Sequence, residues 1–250
     1  MIDWKIVVIL TFVLVAPWTQ PNSAEAQINT RLAKIWPESI LRWEYDIVTI
    51  AADFELDPDL VAAVVLVESS GIPDSESYAG AVGLMGIMPL ETGFAGRPTA
   101  AELSQPRTNL RWGSGILTQI LKQGGGDLHA ALAAYNGGWE LVDIEETRNY
   151  SAEVLHHYAR AIAYKQGNPL VNVTRWTVAI DIQSGYQYRH PLLLGRHTPF
   201  QLDLVGEHTV LVDYEDETSP MRVVAHAVPI FEAPQFFASE RQTAEVASNQ

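Results

Sequence analysis

Glu68 closes the run Val61-Ala62-Ala63-Val64-Val65-Leu66-Val67, a lone carboxylate at the end of an apolar stretch. Taking an ionised carboxylate out of water costs several kcal/mol unless it is paired or protonated. A carboxyl held against apolar groups has a raised pKa and can donate a proton near neutrality, which is the profile of a general acid. On a helix, Glu68 shares a face with Val61, Val64 and Val65, so its carboxyl extends an apolar stripe to the helix end. The plainer alternative is a glutamate that simply reaches solvent there, as most lone carboxylates do.

Other residue types offer less. The chain has no cysteine, which excludes disulfides, thiolate catalysis and Cys-ligated zinc. His156 and His157 are adjacent and would point apart on a helix, whereas paired zinc ligands want an i, i+4 spacing with a glutamate between. No metal or cofactor is expected. Gly124-Gly125-Gly126 lacks the Lys-Ser/Thr of a phosphate loop and reads as a turn. Asp74 and Glu76 are candidate second carboxylates for a hydrolysis, with a solvated loop as the simpler reading.

The elements that must position Glu68 are helical from about residue 38 to 167. Ser39 to Phe54 has helical apolar spacing, and Asp57-Pro58 supplies an N-cap and first-turn proline for a helix that ends near Ser70. Residues 71–98 are rich in Gly, Pro and Ser and predict an ordered loop with one helical turn near Glu91. Helices follow over Asn109 to Gln123, from a cap at Asp127 to Tyr135, and over Thr147 to Gln166. After Pro169 the period changes to that of strands, at Val173 to Ile182, Val210 to Val212 and Met221 to Ile230. Trp176, Tyr186, Tyr188 and Phe200 in that part could stack on sugars, although aromatics in a small β module more often form its core.

A net charge of −14 argues against a nucleic-acid partner, because phosphate binding needs clustered Lys and Arg. At the N-terminus, Lys5, the apolar run Ile6 to Ala16 and the small-x-small Ala24-Glu25-Ala26 predict a secretory signal cut after Ala26. The run falls short of the about 20 apolar residues of a bilayer span. An uncleaved segment acting as a membrane tether is the alternative. The expected organisation is a signal peptide over 1–26, a helical domain over 27–169, a β-rich module over 170–237 and a disordered tail over 238–250. Either form of the N-terminus places the protein's work outside the cytoplasm.

Three later blocks change the weight on Glu68. They are Gly83-Leu84-Met85-Gly86-Ile87-Met88-Pro89, Ala134-Tyr135-Asn136-Gly137-Gly138 and Glu146-Thr147-Arg148-Asn149-Tyr150. Together with Glu68-Ser69 at a helix end, and in this order, they resemble the lytic transglycosylases of the soluble-lytic-transglycosylase (SLT) type, which share a fold with goose-type lysozymes. The resemblance covers roughly residues 40–166, and ordered blocks are far more specific than one motif. It implies a mainly α, lysozyme-like helical domain followed by the small β-rich C-terminal module. It also implies a substrate, the glycan strands of peptidoglycan, cut at the β-1,4 bond between N-acetylmuramic acid and N-acetylglucosamine.

By the same resemblance, Glu68 protonates the leaving oxygen and then accepts the proton of the muramic C6 hydroxyl, which closes on C1 to leave a 1,6-anhydro end. One carboxylate then suffices, whereas ordinary glycosidases use two. Ser77 matches a serine near the scissile sugar, and Met88 a methionine lining the glycan groove. Tyr135 and Asn136 match a pair that contacts sugar and N-acetyl groups. Tyr150 matches a tyrosine beside the catalytic carboxylate, and Glu146 would help line the cleft. Packing, capping or a local turn is the bland alternative for each. Gly86 departs from the family pattern, which has a glutamine there that hydrogen-bonds substrate; such a bond is worth about 1 kcal/mol. Two rival readings stay open: a goose-lysozyme-like hydrolase using Asp74 or Glu76, and a non-catalytic wall-binding protein. No motif identifies a protein partner.

Overall fold

The structure is a computed structural model, and it describes residues 31–170, 173, 175–184, 187–188, 192–194, 204–213 and 221–230. The expected signal segment 1–26 and tail 238–250 lie outside these residues, as does the apolar run behind the tether alternative. Among the described residues no helix is long and apolar enough to cross a membrane.

The helical part comprises α1 (Glu38–Leu41), α2 (Glu44–Asp53), α3 (Pro58–Ser69), α4 (Ala100–Leu103), α5 (Pro106–Gln123), α6 (Leu128–Gly137) and α7 (Glu145–Lys165). The first expected helix is broken in two at Arg42 and Trp43, whose side chains both donate to the Gly71 carbonyl just past the end of α3. Helix α5 starts one turn earlier than its apolar period suggests, because Pro106 takes a first-turn position. Helix α4 was not anticipated. Its Thr99 and Glu102 form a reciprocal capping box, a Thr-x-x-Glu signal that is legible in the sequence. The residues 71–98 form the expected loop, with a single 3-10 turn at Leu90–Thr92.

Helix α3 is apolar on nearly every side and is buried from Pro58 to Val65, as a helix without a polar face must be. It packs against α2 and α7. Asp57 caps it as expected, its side chain accepting from the Asp59 amide at 3.0 Å.

The C-terminal part is the β-rich module: β1 (Arg175–Ser184), β2 (Gln187–Tyr188), β3 (Leu192–Leu194), β4 (Val205–Asp213) and β5 (Met221–Ile230). Its antiparallel sheet runs β2-β1-β5-β4, with β3 also paired to β1. Strands β1 and β5 pair along their whole length, from Arg175 opposite Ile230 to Ser184 opposite Met221. Val178 and Ile180 are buried as the alternation predicts, but Thr177 and Ala179 on the other face are buried too. Trp176 belongs to the core. Tyr186, Phe200 and the side chain of Tyr188 lie outside the described residues.

The sheet lies on α7 and shares one hydrophobic core with the helices. The Gly124–Gly126 turn between α5 and α6 abuts Ile182 and Val223 of the sheet. Beside α3 the contact is polar as well. The Asp57 amide donates to the Val210 carbonyl at 3.0 Å. The Asp57 carboxylate takes the Tyr158 hydroxyl at 2.7 Å and meets His208 Nδ1 at 2.8 Å. Asp59 is paired with Lys165 and accepts from the Ala33 amide and the Trp36 indole. Burial would raise the Asp57 pKa, but the His208 bond and charge, Lys165 and Tyr158 together outweigh it and hold it below the ordinary 3.8. Asp59 is pushed up by burial and by the Asp57 charge, against the pull of Lys165.

Candidate active site

Helix α3 delivers Glu68 in its last turn, where the C-terminal end of the helix dipole disfavours an anion. The side chain is partly buried, and Oε1 accepts a hydrogen bond from the Tyr150 hydroxyl at 2.7 Å. Burial lifts the carboxyl from an ordinary 4.5 to about 7, while the Tyr150 bond pulls the other way. Near neutrality the group is therefore split between acid and base forms. Tyr150 in turn has its own pKa raised by burial and by the Glu68 charge, so its hydroxyl stays a donor.

The Gly83–Pro89 block is a tight loop folded over the end of α3. Val82 and Ile87 pair through both backbone bonds, at 2.9 and 3.0 Å, and the Gly86 amide returns to the Gly83 carbonyl at 3.2 Å. Side chains from three other elements pin it. Ser69 donates to the Leu84 carbonyl at 2.9 Å. Asn109, wholly buried at the start of α5, accepts from the Met85 amide at 2.7 Å and donates to the Val82 and Leu103 carbonyls. Tyr135, from α6, donates its hydroxyl to the Met85 carbonyl at 2.8 Å. Gly83 has φ +85 and no room for a side chain, since a Cβ would stand 2.1 Å from the Asn109 amide nitrogen. The loop backbone is thereby fixed against the acid.

The structure thus brings Glu68, the Gly86 loop, Tyr135 and Tyr150 together. Tyr135 is half-buried, and desolvation of its hydroxyl, then the Glu68 charge, raise its pKa, with Arg97 opposing. Met88 is half-buried, and its carbonyl accepts from Arg97, whose guanidinium stacks on Phe94. Asn136 and Glu146 are exposed, at the end of α6 and the start of α7. Ser77 is exposed and its hydroxyl accepts from the Ala81 amide at 3.0 Å, a local turn. Asp74 and Glu76 are exposed on the same loop. Ser69 and Asn109 were not anticipated as site residues. A signal for Asn109 exists: it heads the buried row Asn109, Gly113, Leu117, Leu121, where a polar side chain must have a task.

Residues 47–168 match the family model described as the transglycosylase SLT domain. Over those residues the helical domain is similar to SLT domains. A transglycosylase of Enterobacteria phage PRD1 is 37% identical over 116 residues, which are 46% of this chain and 42% of that protein. The membrane-bound lytic murein transglycosylase E of Buchnera aphidicola is 33% identical over 93 residues, covering 34% and 42%. Among solved structures, the 70 kDa soluble lytic transglycosylase of Escherichia coli matches at 25% identity and a TM-score of 0.43, over 54% of this chain and 27% of that one. The chain spans about two fifths of the length of the protein relatives it matches. All the blocks after the acid lie inside this matched stretch, and the β-rich module begins just beyond it.

Proposed function

We propose that the protein is a lytic transglycosylase of peptidoglycan, working outside the cytoplasm, with residues 27–169 as its catalytic unit and 170–237 as an appended module. The observation that carries this reading is the Glu68 carboxyl, buried to a pKa of about 7 and held by Tyr150. A group that first gives and then takes a proton works best with a pKa near the working pH. As the acid, Glu68 protonates the oxygen between N-acetylmuramic acid and N-acetylglucosamine, and the bond from that oxygen to C1 breaks. As the carboxylate, it removes the proton from the muramic C6 hydroxyl, whose oxygen bonds C1. No water is consumed, and the acid is regenerated.

The single-carboxylate form of this chemistry is supported by what acts on Glu68. Among the described residues its pKa is set by burial and Tyr150, with no contribution from a second carboxylate. Asp74 and Glu76, the carboxylates a hydrolytic rival would use, are exposed on the loop. Tyr135, Asn136, Met88, Ser77 and Glu146 are the proposed glycan contacts. The names of the murein-active relatives support the substrate class.

Digestion of purified sacculi followed by mass spectrometry tests the proposal. The expected products end in anhydromuramic acid, lighter than a reducing end by one water, and Glu68→Gln should release them about 10²–10⁴-fold more slowly. Reducing ends alone would make the protein a hydrolase. Binding of glycan without any release by the wild type would make it a wall-binding protein.

A further inference from the structure

We propose that Gly86 is a positioning residue for Glu68, and that the space where any other residue's Cβ would stand is the seat of the Glu68 carboxyl group. A Cβ built on Gly86, at φ +61, lies 2.2 Å from Glu68 Oε2, 2.8 Å from Cδ and 3.4 Å from Cγ. Such contacts cannot be tolerated, so either the loop or the glutamate must give way. The loop is tied at Leu84 by Ser69, at Met85 by Asn109 and Tyr135, and at its base by the Val82–Ile87 pair. Glu68 is the free end of a flexible side chain. It is the group that moves.

The direction of that movement follows from what surrounds it. The carboxyl is held by the Tyr150 hydroxyl from α7 on one oxygen and rests against Gly86 with the other. The titratable groups facing it are Tyr150 and Tyr135, with Glu153 and Arg97 acting on those two tyrosines. Burial is therefore the dominant influence on its protonation. A side chain at position 86 pushes the carboxyl off its seat and toward water, where it becomes a stronger acid. In this chain the absent side chain leaves the Glu68 carboxyl room to rest against the loop backbone. The link to turnover rests on the reading of Glu68 as the catalytic acid; the link between Gly86 and the Glu68 carboxyl does not.

Gly86→Ala in the full chain, with the Glu68 carboxyl carbon followed by NMR through a pH titration, tests this without any turnover. The expected midpoint falls by at least one pH unit from that of the wild type, and the alkaline limb of glycan cleavage moves down with it. Gly125→Ala is the control: Gly125 has φ +57 and nothing within 4 Å of a built Cβ, so it carries the same backbone strain with nothing to displace. Its Glu68 midpoint should match the wild type. Gly86→Asn repeats the test with a residue that tolerates left-handed backbone, in case alanine does not fold there. A wild-type midpoint in both Gly86 variants overturns the proposal, and so does an equal shift in Gly125→Ala. Absence of glycan cleavage by the wild type would instead sink the proposed function and leave the titration result standing.

Discussion

Helix α3 carries desolvated carboxylates at both ends, and its two ends surround them with different partners. At the N-terminal end, Asp57 and Asp59 meet the favourable pole of the helix dipole, Lys165, His208, the Tyr158 hydroxyl, two backbone amides and an indole. At the C-terminal end, Glu68 meets the unfavourable pole and one tyrosine hydroxyl. The first arrangement sets basic groups against both carboxylates and builds structure, holding Asp57 low while Asp59 is still pushed up by burial and by Asp57. The second leaves charge uncompensated, which is what gives a carboxyl a reactive proton near neutrality. Burial is common to both ends, so burial alone does not single out a candidate acid; fewer partners do.

The largest test of this contrast is Lys165→Met. It leaves Asp59 buried without its counter-charge and should cost about 3–5 kcal/mol in denaturant unfolding at pH 7. A loss well under 1 kcal/mol would mean that the two ends are not treated differently.

Next in size is the effect of Glu68→Gln on stability, which should have the opposite sign. The folded pKa of Glu68, about 7, lies above its ordinary 4.5, so its protonated form favours the fold. That contribution is complete below pH 4.5 and is lost as the pH rises through 7. Glutamine stands in for the protonated form, so the variant should equal the wild type below pH 4.5 and exceed it above pH 7, by on the order of 3 kcal/mol. Unfolding curves at pH 4 and pH 8 read the difference. Asp57 supplies the mirror image. Its pKa is held below 3.8, so its contribution is present above that value and is lost on further acidification.

The smallest effect is expected from Tyr150→Phe. Removing the Tyr150 donor to the Glu68 carboxylate should raise its titration midpoint by on the order of one pH unit, about 1 kcal/mol. An unmoved midpoint would show that the hydroxyl does not restrain the acid.

Much of the Glu68 end of α3 is legible in the sequence, because its signals are local. A lone charge closing an apolar run marks Glu68, and the ordered blocks mark the Gly86 loop, Tyr135 and Tyr150. The clamp on the loop was less visible. Asn109 is a single polar residue in an amphipathic row, and its partners lie up to 27 residues away in the chain. The other end of α3 shows in the sequence only as a cap, since capping accounts for Asp57 locally. Nothing near it announces that His208 is a partner, 151 residues further on. The split between α1 and α2 was hidden for the same reason, since it depends on the Gly71 carbonyl and not on the helix's own residues.

That separation of 151 residues has a consequence in time. At a synthesis rate of about 5–20 residues per second, roughly 8–30 s pass between the making of Asp57 and the making of His208. Throughout that interval the root of the acid-bearing helix lacks its imidazole and the carbonyl of Val210. A chain stopped at residue 169 would hold every block of the SLT motif and still be unfinished at the foot of α3. The last strands are thus late-arriving parts of the frame that keeps the helix bearing Glu68 in place.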